Sequence, residues 1–272
     1  MLNDLLVLLD RDREGGGRYA LWLAGTLGAS LTAVAPVVEP RLPAFISGEI
    51  PGDFLSKVRD EAEDAARLML TRFADTAKQQ QVPVENQVMR SMDGEIGREI
   101  GSEARYHDLT VLNQGDPEWA RPDEFIESAL FSSGRPVLIV PYIFREPARL
   151  DTVLVGWDGG TAAARALGDA LPLLRVARHI QIVTVAQPSE EWVHRSHAAL
   201  VRHLARHDIE AESKIVINAG DPANTLLSHA ADTGADLLVM GGYGHSRLRE
   251  MVLGGATRGI LRSMTIPALM AH

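Results

Sequence analysis

The chain has 272 residues, 46% of them apolar, and a formal net charge of −9. Cysteine is absent, which excludes a disulfide framework, thiol chemistry and any Cys-based metal site. All the excess acid lies in residues 1–148, with 15 Lys+Arg against 24 Asp+Glu, while residues 149–272 balance at 12 and 12; this argues against general nucleic-acid affinity and makes the second half the less hostile host for a polyanion.

The predicted elements run twice through one pattern. In the first half an apolar run ending in Asp10 (residues 5–10) leads to a helical stretch, 16–27. A strand at 30–36 and a long amphipathic helix at 53–80 come next. A strand at 84–90, a helix at 94–105 and strands at 108–112 and 135–140 complete the half. The second half repeats this order. It has strands at 152–158, 180–186, 213–217, 236–240 and 265–270, with helices at 163–174, 191–207, 223–233 and 258–263. Strands alternating with helices indicate right-handed parallel βαβ units. Runs that are apolar on both faces suit a sheet covered on both sides. The expectation is an α/β chain of two doubly wound domains, 1–144 and 149–272, joined by a short linker around Phe144-Arg-Glu-Pro147.

The first half carries about 20 extra residues between its second strand and second helix, since Asp10 and Asp158 are farther apart than Asp108 and Asp236. The extra segment, 36–52, holds four prolines and is expected to be an irregular loop.

Glycines follow the fourth strand of the second half. Gly241, Gly244 and Gly254 are spaced Gly-x2-Gly-x9-Gly, between a buried strand and a helix start. Free backbone N–H groups at a helix start, with no Cβ in the way, suit an anion such as phosphate. The string is neither a P-loop nor a dinucleotide fingerprint. A strand-to-helix turn that simply needs glycine is the plainer alternative.

At these residues the chain resembles the universal stress protein family. In that family's nucleotide-binding members, Gly-x2-Gly-x9-Gly followed by Ser or Thr holds the phosphates and ribose of ATP. The resemblance implies two flavodoxin-like domains, each a five-stranded parallel sheet of order 3-2-1-4-5. It implies that the fifth strands, 137–140 and 266–270, associate with each other. It also implies ATP as the ligand, with Mg²⁺ as its companion ion. The residues implied are Asp158, Gly159, Val185, Met240, Gly241, Gly244, His245, Arg247, Gly254, Gly255, Ala256 and Thr257. Asp158 and the backbone of Gly159 would face the adenosine, Val185 the base, and Met240 the base or ribose. This sequence departs from the pattern at Gly255, where the family has a hydroxyl. Thr257 and Ser246 are the nearest substitutes.

Asp158 has a second reading, as a cap for the helix near Thr161. Asp221 followed by Pro222 reads as a helix N-cap and first helical residue, with Ala219 and Gly220 as further ligand contacts. In the first half only Gly115 remains of the glycine spacing. Asp116, Glu118, Asp123, Glu124 and Glu127 crowd the place where phosphates would lie, so that half is expected to have lost the site. Asp10, Asp12 and Glu14 could gather a cation, but read better as an exposed turn.

The pairs His194/His197 and His203/His207 have helical spacing that could share a metal, but a solvated helix face is the better reading. Arg247 and Arg249 could reach phosphates. No Gly-x-Ser-x-Gly elbow and no set of phosphoryl-transfer groups appears. The expected function is nucleotide-dependent signalling or protection, with an unknown protein partner and a homodimer beyond the intrachain pair. A slow Mg²⁺-dependent ATP hydrolase and a non-binding scaffold are the alternatives. No apolar stretch approaches the roughly 18 residues of a membrane span. The acidic start lacks the marks of a signal peptide, so a cytoplasmic location is expected.

Overall fold

The computed structural model describes residues 1–11, 13–39, 52–115, 123–145, 147–187, 189–217, 220–243 and 255–272. The chain forms two compact units. The first comprises residues 1–113 and 124–135, and the second comprises 114–123 and 136–272.

In the first unit, β1 (Asp4–Leu8) is followed by α1 (Gly15–Leu27), β2 (Ser30–Glu39) and α2 (Gly52–Gln79). Next come β3 (Val84–Met92), α3 (Ile96–Glu103), a 3-10 turn at Ala104–Tyr106, β4 (Leu109–Asn113) and α4 (Glu124–Ser133). The strands are parallel in the order β3-β2-β1-β4, the first four places of the expected 3-2-1-4-5. β1 and β4 are buried on both faces, whereas β3 at the edge is half exposed. Gly28 ends α1 in the left-handed region at φ 66°, its N–H bonded to Ala24 O. Ala66, Leu70 and Ala77 give α2 its buried stripe over β2 and β3.

Two expectations are corrected here. Residues 36–39 are not loop but the end of β2, paired with β3 from Pro36↔Met89 to Glu39↔Met92. Pro36 lies beyond the β1 pairing, which stops at Val34, so its missing N–H breaks only one side of the ladder. The remainder of that segment, 40–51, lies outside the described residues. In addition, α4 was not foreseen. Ile126, Ala129 and Leu130 form its buried face. The helix is packed so closely on α3 that a Cβ at Gly101 would stand 2.7 Å from Ser128 O.

In the second unit, β5 (Val137–Val140) precedes β6 (Thr152–Gly156), α5 (Thr161–Leu174), β7 (His179–Val185) and α6 (Glu191–Ala205). Then come β8 (Glu212–Val216), α7 (Pro222–Thr233), β9 (Leu237–Gly241), α8 (Ala256–Ser263) and β10 (Ala268–Ala271). The strand order is β5-β10-β9-β6-β7-β8, so β8-β7-β6-β9-β10 is 3-2-1-4-5. The expected meeting of fifth strands is present. β5 and β10 run antiparallel, with Ala268↔Ile139, Leu269↔Leu138 and Met270↔Val137, and are buried throughout. Gln114 is fixed beside them, 2% exposed, its Nε2 donating to Leu261 O and its Oε1 accepting from Tyr142 N–H.

The repeat is visible in single side chains. Asp108 Oδ2 accepts from the backbone N–H groups of Asn3 and Asp4, at 2.8 and 3.2 Å. Asp236 Oδ2 does the same for Asp151 and Thr152, both at 2.9 Å. In each half the aspartate before the fourth strand fastens the start of the first.

Two buried histidines of the second unit make its stability depend on pH. His197 on α6 bonds Thr184 Oγ1 at 2.8 Å; the Thr184 hydroxyl donates to Trp157 O, so His197 Nε2 is the donor. His229 on α7 donates to Gln181 Oε1 at 2.6 Å. Burial lowers the pKa of both below the usual 6.5, with His194 adding to the effect at His197 and Lys214 at His229. Both groups bind protons more readily unfolded than folded. Their contribution is therefore complete above pH 6.5 and is lost as pH falls through 6.5 toward the lowered folded values. The melting temperature is expected to drop between pH 7.5 and 5.5, and the drop to shrink when His197 and His229 are both replaced by Gln. An equal drop in the double variant would contradict this.

Candidate functional site

The chain leaves β6 toward β7 on one side of the sheet and returns on the other side at β9. The order therefore reverses between β6 and β9, and this is where ligands enter open α/β sheets, beyond the carboxyl ends of the strands. Gly156 at the end of β6 is in register with Met240 on β9 and Val183 on β7. Asp158 and Gly241 thus leave the same end of neighbouring strands, as the sequence implies.

Gly241 is held by backbone. A Cβ there would stand 2.6 Å from Ala163 N and 2.8 Å from Ala162 C, at the start of α5. The first residue of the glycine spacing is thus needed for helix packing as well as for any ligand. Gly242 N–H donates to Ala271 O. Tyr243 follows at φ 53°, an unusual conformation for a tyrosine, and its side chain is buried. Its N–H donates to Thr257 Oγ1 at 3.0 Å. Thr257, 2% exposed, therefore ties the base of the glycine segment together.

Gly255 is the N-cap of α8, at φ −53° and ψ 151°, and makes no side-chain capping bond. The hydroxyl expected by resemblance at this position would be the cap. With glycine in its place, the helix start presents backbone donors alone. Ala256 in the first turn is exposed, and so is Arg258. A Cβ at Gly259 would stand 2.5 Å from Ala223 Cβ, which fixes α8 against α7. Gly244, His245, Ser246, Arg247, Arg249 and Gly254 lie outside the described residues.

On the other strand, Asp158 Oδ1 accepts from Gly160 N–H at 2.8 Å. This is a local turn rather than the expected helix cap. The N-cap of α5 is Gly160 itself, and no side chain caps it. Gly159 has φ 78°. Val185 ends β7 partly exposed, and Met240 is 7% exposed on β9. Asp221 caps α7 as expected, Oδ2 accepting from Asn224 N–H at 3.0 Å with Pro222 at the first helical position. Ala219 lies outside the described residues.

No group of three or more His, Asp or Glu residues that could hold a metal occurs among the described residues. His203 and His207 meet edge to face, with centroids 4.8 Å apart, and His197 is turned inward to Thr184. Asp10 lies 4.0 Å from Arg13, while Asp12 is outside the described residues. No helix among the described residues is long and apolar enough to cross a membrane.

Residues 149–272 match the model of the Universal stress protein family. These residues, the second half of the chain, belong to that family. A universal stress protein of Synechocystis, Slr1230, is 29% identical over 151 residues, covering 53% of this chain. The chain spans only 49% of that relative's length. YxiE of Bacillus subtilis, another universal stress protein, is 26% identical over 146 residues, 44% of this chain and 97% of its own. In fold, the chain resembles a universal stress protein of Archaeoglobus fulgidus along its whole length. The TM-score is 0.75 at 17% identity, covering 100% of this chain and 98% of that one. A universal stress protein in complex with cAMP is 26% identical over 45% of this chain and 96% of its own, at a TM-score of 0.36.

The two halves of the chain differ at one telling place. Where β9 ends in bare Gly241, β4 ends in Asn113. Asn113 Oδ1 accepts from Gly16 N–H at 2.8 Å, and Nδ2 donates to Arg13 O at 3.3 Å. A Cβ at Gly16 would stand 2.9 Å from Asn113 Oδ1. The asparagine amide thus ties the end of β4 to the start of α1 from within the first half. Of the acids expected there, Glu124 and Glu127 occupy the first turn of α4, while Asp116 and Glu118 lie outside the described residues.

Sequence reasoning missed Asn113, Tyr243 and Trp192. Asn113 was legible as the residue aligned with Gly241 in the repeat. The other two depend on chain geometry that no local pattern records.

Proposed function

We propose that this chain binds ATP, with Mg²⁺, at the switch point between β6 and β9, and acts as a nucleotide-dependent signalling or protective factor. One observation carries the reading: β9 ends in bare Gly241 against the start of α5, beside the end of β6 that leads into the Asp158 turn, and α8 begins at Gly255 without a side-chain cap. Backbone donors at a helix start favour phosphate oxygens. Gly244, Gly254, His245 and Arg247 would complete the phosphate end, and Thr257 would hold the segment's base. Nucleotide bound at this end of the sheet would alter a surface read by a protein partner. The first half, where Asn113 takes the place of Gly241, serves as a companion domain. The assembly is a homodimer built on the intrachain pair, and the location is cytoplasmic.

The second reading is a non-binding scaffold, which the missing cap at Gly255 favours. Thermal unfolding with and without ATP and Mg²⁺ separates the two. A ligand that binds only the folded state at 100 times its Kd stabilises it by about 2.7 kcal/mol. ATP is therefore expected to raise the melting temperature by several degrees, and the rise to diminish in Asp158→Ala. A melting temperature indifferent to saturating ATP would leave the scaffold.

A further inference from the structure

The residue that most needs a reason is Trp192, at the second position of α6. Its ring lies against the backbone of Gly159, where a Cβ would stand 3.1 Å from Cζ3. Its indole N–H donates to Glu190 Oε2 at 2.7 Å. Glu190 Oε1 in turn accepts from Gln187 N–H at 2.9 Å, in the turn that follows β7. Glu190 occupies the N-cap position of α6, yet makes no capping bond; its two oxygens are directed to Gln187 and Trp192 instead. These two bonds, Gln187 first, hold its carboxyl below the usual carboxylate range. The clamp therefore stays charged at neutral pH.

Trp192 remains 38% exposed although its position is fixed at two points. A large aromatic ring held in one orientation and still partly exposed is a surface on which a flat partner can stack. Its place in the fold says which part of a nucleotide that is. The glycine end, from Gly241 and Gly255, lies beyond β9. Trp192 touches the loop after β6, and its clamp is anchored after β7, on the opposite side of β6. A ligand laid across the switch point would have its anionic end at the glycines and its flat end at the indole, near Val185 at the end of β7.

We infer that the indole of Trp192, pinned by Glu190 against Gly159, is the stacking wall for the base and makes the site prefer purine over pyrimidine nucleotides. This rests on the nucleotide reading above. Stacking a base on an aromatic side chain changes affinity by about tenfold or more on alanine substitution, and purines present the larger face.

The test is calorimetry on the full chain and on Trp192→Ala and Trp192→Phe, each titrated with ATP, CTP and inorganic tripolyphosphate in Mg²⁺. The wild-type chain is expected to bind ATP about tenfold more tightly than CTP. Trp192→Ala is expected to lose about tenfold for ATP and bring it level with CTP. Trp192→Phe should keep most of the preference, and tripolyphosphate should bind all three proteins alike. If Trp192→Ala binds ATP like wild type, the stacking wall is wrong while the nucleotide site stands. If the alanine variant weakens all three ligands equally, the indole is structural and the inference falls. If the wild type binds neither ATP nor tripolyphosphate, the nucleotide reading falls and takes this inference with it.

Discussion

Replacing Gly241 by alanine is expected to destabilise the protein by about 3 kcal/mol, the upper range for overpacking a close-fitted site. The new methyl would stand 2.6 Å from Ala163 N and 2.8 Å from Ala162 C, both backbone atoms, so no rotamer change relieves it. Either β9 or the start of α5 must move. Ala162 and Ala163 are buried there, and β9 is paired on both sides, by β6 and β10. For a chain of this size the melting temperature should fall by roughly 5–10 °C. Gly168→Ala, on α5 itself, is the control. Nothing lies within 4 Å of a Cβ there, and alanine is the better helix former by about 1 kcal/mol. The control should be neutral or stabilising. Equal melting temperatures for Gly241→Ala and wild type would mean that α5 does not press on β9 as described.

Gly255→Ser is expected to tighten ATP binding by roughly twofold to twelvefold, the value of one added hydrogen bond of about 0.5–1.5 kcal/mol. The backbone at this position, φ −53° and ψ 151°, accommodates any residue. The serine would restore the hydroxyl that the family's nucleotide-binding members carry after the last glycine. It would also cap α8, which adds only a few tenths of a kcal/mol relative to glycine. Affinity should therefore change more than stability. Gly255→Ala supplies the Cβ without the oxygen and should bind no better than wild type. A serine variant no tighter than the alanine variant would show that this position does not face the ligand.

Most of the fold was legible because the chain states it twice. Apolar runs of five to seven residues alternating with amphipathic stretches fixed the order of strands and helices. The repeat of Asp108 in Asp236 fixed the alignment of the halves, and both aspartates make the same backbone clamp. The meeting of β5 and β10 came from family resemblance, since two short apolar strands carry no mark of their partner.

The failures were local. Four prolines made 36–52 look irregular from its first residue, but the long edge strand β3 kept β2 extended through Glu39. α4 was hidden behind acidic residues and prolines that read as loop, although Ile126, Ala129 and Leu130 mark its inner face.

At the site, the glycine spacing marked a strand end at Gly241 and a helix start at Gly255 from sequence alone. What it could not give was why each glycine is there. Gly241 yields to α5, Gly255 stands at an N-cap, and Gly159 lies under Trp192. These are contacts between segments distant in sequence, and local patterns are blind to them. Thr257, named as a substitute hydroxyl for the ligand, bonds the backbone of Tyr243.

The second half of the chain is expected to bind nucleotide and the first half not. Calorimetric titration of ATP in Mg²⁺ into the full chain, beside Gly244→Val, decides between the two. One ATP per chain is expected in the wild type and none in the variant. Two ATP per chain, binding that survives Gly244→Val, or no binding at all would contradict it.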